Sequence, residues 1–142
     1  MAKILVIDDE KSICETLEMY LTEEGYEVYT ANTGTEGLNK AVQISPDLII
    51  LDIRLPDIDG FTVLEDLKDE HDNNSKVIMI TAHHDMETTI RAMKEGAFDY
   101  IHKPINIDEL DIAIQKALKS SEMEKKINGL LMEPSRSFKV GD

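Results

Sequence analysis

The sequence of 142 residues has no tryptophan and only one cysteine, Cys14. One cysteine excludes a disulfide within the chain, and its place in an apolar helical stripe indicates a small core residue. No apolar run approaches the ~18 residues of a membrane-spanning helix, and the N-terminal run is too short for a signal sequence. We therefore expect a cytoplasmic protein that does not associate with a membrane.

Basic residues are scarce: the chain has 15 Lys and Arg against 29 Asp and Glu, so its formal net charge is −14. Such a surface repels the phosphates of nucleic acids, and we expect no direct nucleic-acid binding by this chain. Hydrophobic residues (42%) and charged residues (31%) are in the usual proportion for a globular domain. The length favours one domain with a real core.

Short apolar runs take the place of long ones, and a helix-like segment follows each of them. Strict alternation of strand and helix predicts an α/β doubly wound parallel sheet of five strands, in the order 2-1-3-4-5. The predicted strands cover residues 3–7, 26–31, 47–51, 76–80 and 99–102. The predicted helices cover residues 12–24, 34–44, 60–68, 85–95 and 107–119, and residues 120–131 are able to prolong the last helix.

Polar residues stand where four of these apolar runs stop: Asp8 with Asp9, then Asp52, Thr81 and Lys103. The carboxyl ends of parallel strands form one edge of a sheet, where ligands bind. Residues far apart in the chain are therefore expected to converge there. Three carboxylates, a hydroxyl and an ammonium are able to hold a divalent cation and a phosphoryl group together.

The adjacent acids Asp8 and Asp9 have two interpretations. Aspartate is a good helix cap, but capping explains one of them and not both. Like charges held close at a buried edge raise each other's pKa unless a cation lies between them. A hard divalent ion with oxygen ligands fits, and Mg²⁺ fits best because it keeps waters and accepts phosphate oxygens. With Asp52, the two acids are predicted to form a magnesium site.

Asp52 ends the most hydrophobic strand and is the candidate nucleophile. Its carboxylate is able to attack an electrophilic phosphorus and form an acyl phosphate. The Thr81 hydroxyl is then placed to donate to a phosphoryl oxygen. The Lys103 ammonium acts as a point charge between phosphate and carboxylate.

Four motifs occur in order at these strand ends: IDD (7–9), DIRLPDIDG (52–60), TA (81–82) and YIHKP (100–104). Together they resemble the receiver domains of two-component response regulators, over roughly residues 3–118. The resemblance implies a flavodoxin-like, CheY-like fold. It implies that Asp52 accepts phosphate from a sensor histidine kinase and that Asp8, Asp9 and Asp52 hold Mg²⁺.

The resemblance also assigns roles to further residues. It implies that the backbone carbonyl of Arg54 is a metal ligand, and that the side chains of Arg54 and His83 line the approach to the phosphate. Thr81 and Tyr100 match the family's switch residues, which report the phosphate to the rest of the fold. We expect a homodimer through helix 85–95, strand 99–102 and helix 107–119, together with the linker.

Residues 81–110 are similar to the receivers of nitrogen-regulation-type (NtrC-type) activators of sigma-54 transcription. Those proteins carry an ATPase domain and a DNA-binding domain after the receiver, and this chain has neither. We expect a receiver domain over residues 1–119 and, over 120–142, a linker helix and tail that lead to an output domain outside this chain. Control of transcription would pass through that domain.

Two other functions fit parts of the sequence. DIDGFT (57–62) resembles the nucleophile motif of haloacid-dehalogenase-like phosphatases, but Asp57 follows a loop and not a buried strand. A receiver-like binding module that is never phosphorylated is the other alternative. We favour a phosphorylation-dependent signalling switch over both alternatives. We expect it to catalyse only its own phosphorylation and autodephosphorylation, and to be no enzyme in any other sense. The His83–His84–Asp85 sequence is interpreted as a helix cap with exposed imidazoles.

Overall fold

The computed structural model describes residues 1–70, 75–82 and 85–131. Within these ranges strands and helices alternate along the chain. The strands are β1 (Lys3–Ile7), β2 (Glu27–Ala31), β3 (Leu48–Asp52), β4 (Lys76–Thr81) and β5 (Asp99–His102). The helices are α1 (Lys11–Glu23), α2 (Gly34–Ile44), α3 (Gly60–Glu70), α4 (Met86–Lys94) and α5 (Ile107–Leu131).

The five strands form one parallel sheet in the order β2-β1-β3-β4-β5, so the predicted fold class is confirmed. β3 is central and all five of its residues are buried, as its continuous apolar run requires. β2 lies at an edge and is largely half-buried. The carboxyl ends of β1 and β3 are neighbours, since Ile7 pairs with Leu51.

Side chains alternate between two cores, one on each face of the sheet. Leu5 and Ile7 pack with residues of α2, α3 and α4, whereas Ile4 and Val6 pack with residues of α1 and α5. The period of two in an extended strand produces this division. Helices cover both faces, and the edge formed by the strand ends stays accessible to ligands.

Residues with positive φ end three of the helices. Gly25 (φ 98°) follows α1, Ser45 (φ 47°) follows α2 and Gly96 (φ 103°) follows α4. At the start of α4, Asp85 accepts a hydrogen bond from the Thr88 N–H at 2.7 Å, as the predicted cap. His83, part of the same prediction, lies with His84 outside the described residues.

Helix α5 continues past Lys119, where the shorter prediction ended it, to Leu131. Its added turns contact the amino ends of the strands: Lys125 pairs with Asp47 at 3.0 Å, and Ser121 is buried. A domain boundary at residue 119 stays a prediction, and residues 132–142 lie outside the described residues. Among the described residues, no helix has both the length and the apolar character needed to cross a bilayer.

Candidate functional site

The predicted site residues come together at the carboxyl edge of the sheet. Asp8 directly follows β1, and Asp52 is the last residue of β3. Thr81 ends β4, and Lys103 follows β5. Asp8, Asp52 and Thr81 are buried, and the Lys103 side chain is only 12% exposed. Buried polar groups at strand ends are costly unless they are paired, so their position indicates a site.

Asp8, Asp9 and Asp52 form an acidic cluster in which one carboxylate oxygen from each residue lies within 4.8 Å of the other two. Among the described residues, Asp8 Oδ2 is buried and has no hydrogen-bond partner, although Lys103 Nζ is 3.1 Å away. An oxygen-only donor set, with a buried carboxylate oxygen that within the described part of the chain accepts no hydrogen bond and is paired only with the Lys103 charge, fits a hard divalent cation such as Mg²⁺. The N–H of Arg54 donates to Asp52 Oδ1 at 3.1 Å, which places residue 54 beside this cluster.

The Lys103 ammonium lies between three carboxylates. Its Nζ is 3.1 Å from Asp8 Oδ2, 3.1 Å from Asp52 Oδ2 and 3.0 Å from Glu10 Oε1. The Lys103 N–H donates to the Thr81 carbonyl oxygen at 2.8 Å, which fixes the lysine at the end of β4. One cation thus partly neutralises two buried acids, and enough negative charge remains to attract a second cation.

The charges at this edge shift the pKa values of their neighbours. Burial, followed by repulsion from Asp52, raises the pKa of Asp8 to about 6, against the lowering effects of the Glu10 N–H and of Lys103. Burial lowers the pKa of Lys103, but hydrogen bonds to Glu10 and Asp52 outweigh it and raise that pKa above its usual value. Lys103 is therefore charged at neutral pH. The negative charge of Asp8 is unfavourable in this buried position.

The predicted switch residues Thr81 and Tyr100 lie close together. Tyr100 is half-buried on β5, and its ring meets the His102 ring edge-on with centroids 5.1 Å apart. Burial raises the pKa of Tyr100, and hydrogen bonds with Thr89 and Thr81 oppose that rise. The side chain therefore connects the end of β4 to α4.

Two further residues lie at this edge that the sequence did not assign to the site. Glu10 carries the third carboxylate beside Lys103. The Cys14 thiol donates to the Asp8 carbonyl oxygen at 3.3 Å, and burial raises the pKa of Cys14 to about 11, so the thiol stays protonated. The sequence places Cys14 in the core correctly, but gives no signal for its hydrogen bond.

The carboxylate of Asp57, the nucleophile of the phosphatase alternative, is engaged elsewhere. It accepts hydrogen bonds from the Gly34 N–H at 2.8 Å and from the Thr35 N–H at 2.9 Å and hydroxyl at 2.6 Å. The Thr35 hydroxyl is the largest of the contacts that hold the pKa of Asp57 well below its usual range. Asp57 thus ties the loop after β3 to the start of α2.

Comparison with known proteins decides the family. The model for the response regulator receiver domain matches residues 4–115. The chain belongs to the response regulator receiver family. Receiver domains of this family belong to two-component systems, in which signalling depends on phosphorylation.

Individual relatives agree with that assignment. The receiver is 36% identical over 139 residues to the regulatory protein AtoC of Escherichia coli (strain K12), covering 98% of this chain and 30% of AtoC. A CheY-like receiver domain protein from Methanospirillum hungatei JF-1 superposes with a TM-score of 0.82 at 35% identity, covering 87% of this chain and 98% of that one. NtrX from Brucella abortus, solved in complex with ATP, superposes with a TM-score of 0.85 at 34% identity. The match covers 93% of this chain and 30% of the NtrX chain.

The matches to AtoC and NtrX agree with the resemblance to NtrC-type regulators. The chain spans about a third of the length of AtoC and of the NtrX structure.

Proposed function

We propose that this receiver is a signalling switch that accepts a phosphoryl group on Asp52 from a sensor histidine kinase. The observation that supports it most is the position of Lys103 Nζ, 3.1 Å from Asp52 Oδ2 at the edge where Asp8 and Asp9 also lie. A cation and a carboxylate side by side at an acidic edge suit a reaction that adds charge to that carboxylate.

In this proposal a carboxylate oxygen of Asp52 attacks the phosphorus of the phosphohistidine. The new P–O bond forms as the P–N bond breaks, and the electron pair of that bond stays on the imidazole. Lys103 faces the oxygens that gain charge. Asp8, Asp9, Asp52 and the Arg54 carbonyl would hold Mg²⁺, which would neutralise charge on the transferring oxygens. Hydrolysis of the acyl phosphate resets the switch, so the chain catalyses only its own phosphorylation and autodephosphorylation.

Thr81 and Tyr100 carry the signal outward in this proposal. A phosphoryl group adds nearly two negative charges and several acceptor oxygens beside the buried Thr81 hydroxyl. Thr81 turns to donate to it, and Tyr100, which contacts both Thr81 and Thr89, follows. Because Ala92 is the buried side chain of α4, that helix is weakly anchored and free to shift with Tyr100.

The output surface is the β5 face, defined as α4, β5 and α5. It carries exposed apolar side chains suited to burial between two copies of the chain: Met86, Ile90 and Met93 on α4 and Ile112 on α5. We propose a homodimer through this face and the linker. The protein would control transcription through an output domain outside this chain. The resemblance to NtrC-type activators implies that this transcription depends on sigma-54. We place the protein in the cytoplasm.

Intact-protein mass spectrometry after incubation with acetyl phosphate and Mg²⁺ tests the phosphoacceptor. We expect wild type to gain one phosphate, to gain none with EDTA, and to gain none as Asp52→Asn. Asp57→Asn is the matched control, because it makes the same chemical change five residues further along the chain, in the loop after β3, and should still gain the phosphate. A phosphate on Asp52→Asn would reassign the nucleophile.

A further inference from the structure

The Lys103 ammonium already contacts three carboxylates before a phosphoryl group arrives. It donates to Glu10 Oε1 at 3.0 Å and to Asp52 Oδ2 at 3.1 Å, and it faces Asp8 with Oδ2 at 3.1 Å and Oδ1 at 3.5 Å. An ammonium has three N–H donors, and these three carboxylates compete for them. Lys103 therefore weakens its contact with one carboxylate when it contacts a phosphoryl oxygen on Asp52.

Glu10 is the acceptor that is released at least cost. The side chains of Asp8 and Asp52 are 0% and 5% exposed, whereas that of Glu10 is 54% exposed. A buried carboxylate that loses its counter-charge pays a desolvation penalty, but Glu10 exchanges Lys103 for water. The phosphoryl group and Glu10 thus compete for one ammonium.

The backbone holds Glu10 in the position that this competition needs. Glu10 is the N-cap residue of α1, yet its side chain makes no capping hydrogen bond and is free to turn toward Lys103. Its N–H donates to Asp8 Oδ1 at 2.9 Å, so an acid of the site itself fixes its place. Glu10, Ala82, Lys103 and Pro104 line the same open groove of about 590 Å³.

We infer that Glu10 is a positioning residue that holds Lys103 away from the phosphoryl group before transfer and selects small phosphodonors by charge. The inference rests on the proposed phosphorylation of Asp52. A donor that enters beside Glu10 meets its negative charge, and the repulsion grows with the charge of the donor. Acetyl phosphate, a dianion near neutral pH, should therefore be disfavoured more than phosphoramidate, which is mainly a monoanion.

The transfer step is the same for both donors. An Asp52 oxygen forms a bond to phosphorus as the bond to the leaving group breaks, releasing acetate from acetyl phosphate or ammonia from phosphoramidate. The ammonia leaves from the nitrogen that is already protonated in the zwitterion. Lys103 changes its acceptor from Glu10 to a phosphoryl oxygen and keeps its protons.

The test measures the rate at which Mg²⁺-loaded protein gains phosphate from each donor, at fixed pH and ionic strength. We expect Glu10→Gln to accelerate phosphorylation about fivefold with acetyl phosphate and about twofold with phosphoramidate, so that the ratio of the two rates rises. Glu10→Asp keeps the charge and should keep most of the wild-type ratio. Glu15→Gln removes the same charge from an exposed position on α1 and should leave the ratio unchanged.

An unchanged ratio in Glu10→Gln, or an equal slowing with both donors, would overturn the role of Glu10 while leaving the proposed function intact. If Glu15→Gln raised the ratio as much as Glu10→Gln, the effect would belong to the net charge and the role of Glu10 would fall. If wild type gained no phosphate from either donor, the proposed function would fail and the inference with it.

Discussion

Lys103 Nζ and Asp52 Oδ2 lie 3.1 Å apart, although 51 residues separate them in the chain. The Lys103→Ala substitution leaves Asp8 and Asp52 buried without their cation. We expect phosphorylation by acetyl phosphate to slow by roughly 10²-fold, the usual effect of removing one stabilising group from a site of charge development. Mass spectrometry over time gives the rate, and a rate within twofold of wild type would remove Lys103 from the reaction.

Lys103→Arg is the matched comparison, since it keeps the positive charge and changes its shape. A planar guanidinium does not replace a compact ammonium between three acids, so this variant should also react slowly. Full activity in Lys103→Arg would mean that charge alone is sufficient at this position.

Asp8 makes the stability of the metal-free protein depend on pH. Burial raises its pKa to about 6, whereas in an unfolded chain it lies near 3.9. Between these values the folded state binds more protons, so Asp8 lowers stability as pH rises through this range, and the loss is complete above pH 6. Asp8→Asn removes the penalty and should raise the free energy of unfolding at pH 7 by roughly 2–3 kcal/mol.

Urea denaturation in EDTA at pH 5 and pH 7 checks this prediction. The gain in Asp8→Asn should shrink at pH 5, and Asp66→Asn on α3 serves as a control that should show no comparable gain. Added Mg²⁺ should stabilise wild type more than Asp8→Asn, because binding to the folded state adds to its stability. If Asp8→Asn were less stable than wild type in EDTA at pH 7, the conclusion that the buried Asp8 charge destabilises the folded state would be wrong.

Gly60 permits the close approach of α3 to the end of β3. A Cβ there would lie 2.6 Å from the Asp52 carbonyl oxygen and 2.7 Å from Ile53 Cα, and both are backbone atoms. Gly60→Ala should therefore lower the free energy of unfolding by about 1–3 kcal/mol and slow phosphorylation, because the backbone that carries Asp52 has to move.

Gly25→Ala is the control for Gly60→Ala. An added Cβ meets nothing within 4 Å there, and the cost is the positive φ of 98° alone, about 1 kcal/mol. This variant should be less stable than wild type but should gain phosphate at the wild-type rate. Chemical denaturation and the rate of phosphate gain separate the two effects.

The exposed apolar side chains of the β5 face should decide association. Ile90 on α4 is 47% exposed. If phosphorylation favours a dimer through this face, Ile90→Glu should keep the protein monomeric with the phosphate mimic beryllofluoride, since a buried charge opposes the contact. Analytical ultracentrifugation with and without the mimic measures this, and Val42→Glu on α2 is a control at a similarly exposed apolar position. If the association state of the wild-type protein were the same with and without beryllofluoride, the proposed phosphorylation-dependent dimer would be contradicted.

Alternation of short apolar runs and helical stripes predicted the sheet order, because parallel strands with crossover helices have few arrangements. The same reasoning placed Asp8, Asp52, Thr81 and Lys103 at one edge. The roles of these residues stay predictions until phosphorylation is measured.

The sequence did not predict the contacts that depend on where a side chain turns. In the sequence, Glu10 is one more acidic residue at the start of a helix. Its contact with Lys103 depends on tertiary packing across the site. Asp57 reads as a loop acid, and its hydrogen bonds to the start of α2 join two loops that are distant in sequence. The extension of α5 depends on pairs such as Lys125 with Asp47, which periodicity does not show.

Locating the phosphate tests the central claim most directly. Borohydride reduces an acyl phosphate to an alcohol, so treatment of the protein after acetyl phosphate and Mg²⁺ converts a phosphorylated aspartate to homoserine. Peptide mass spectrometry should find homoserine at position 52, and none when EDTA replaces Mg²⁺. Homoserine at Asp8, Asp9 or Asp57 in place of Asp52, or no reduced residue in wild type, would contradict the account.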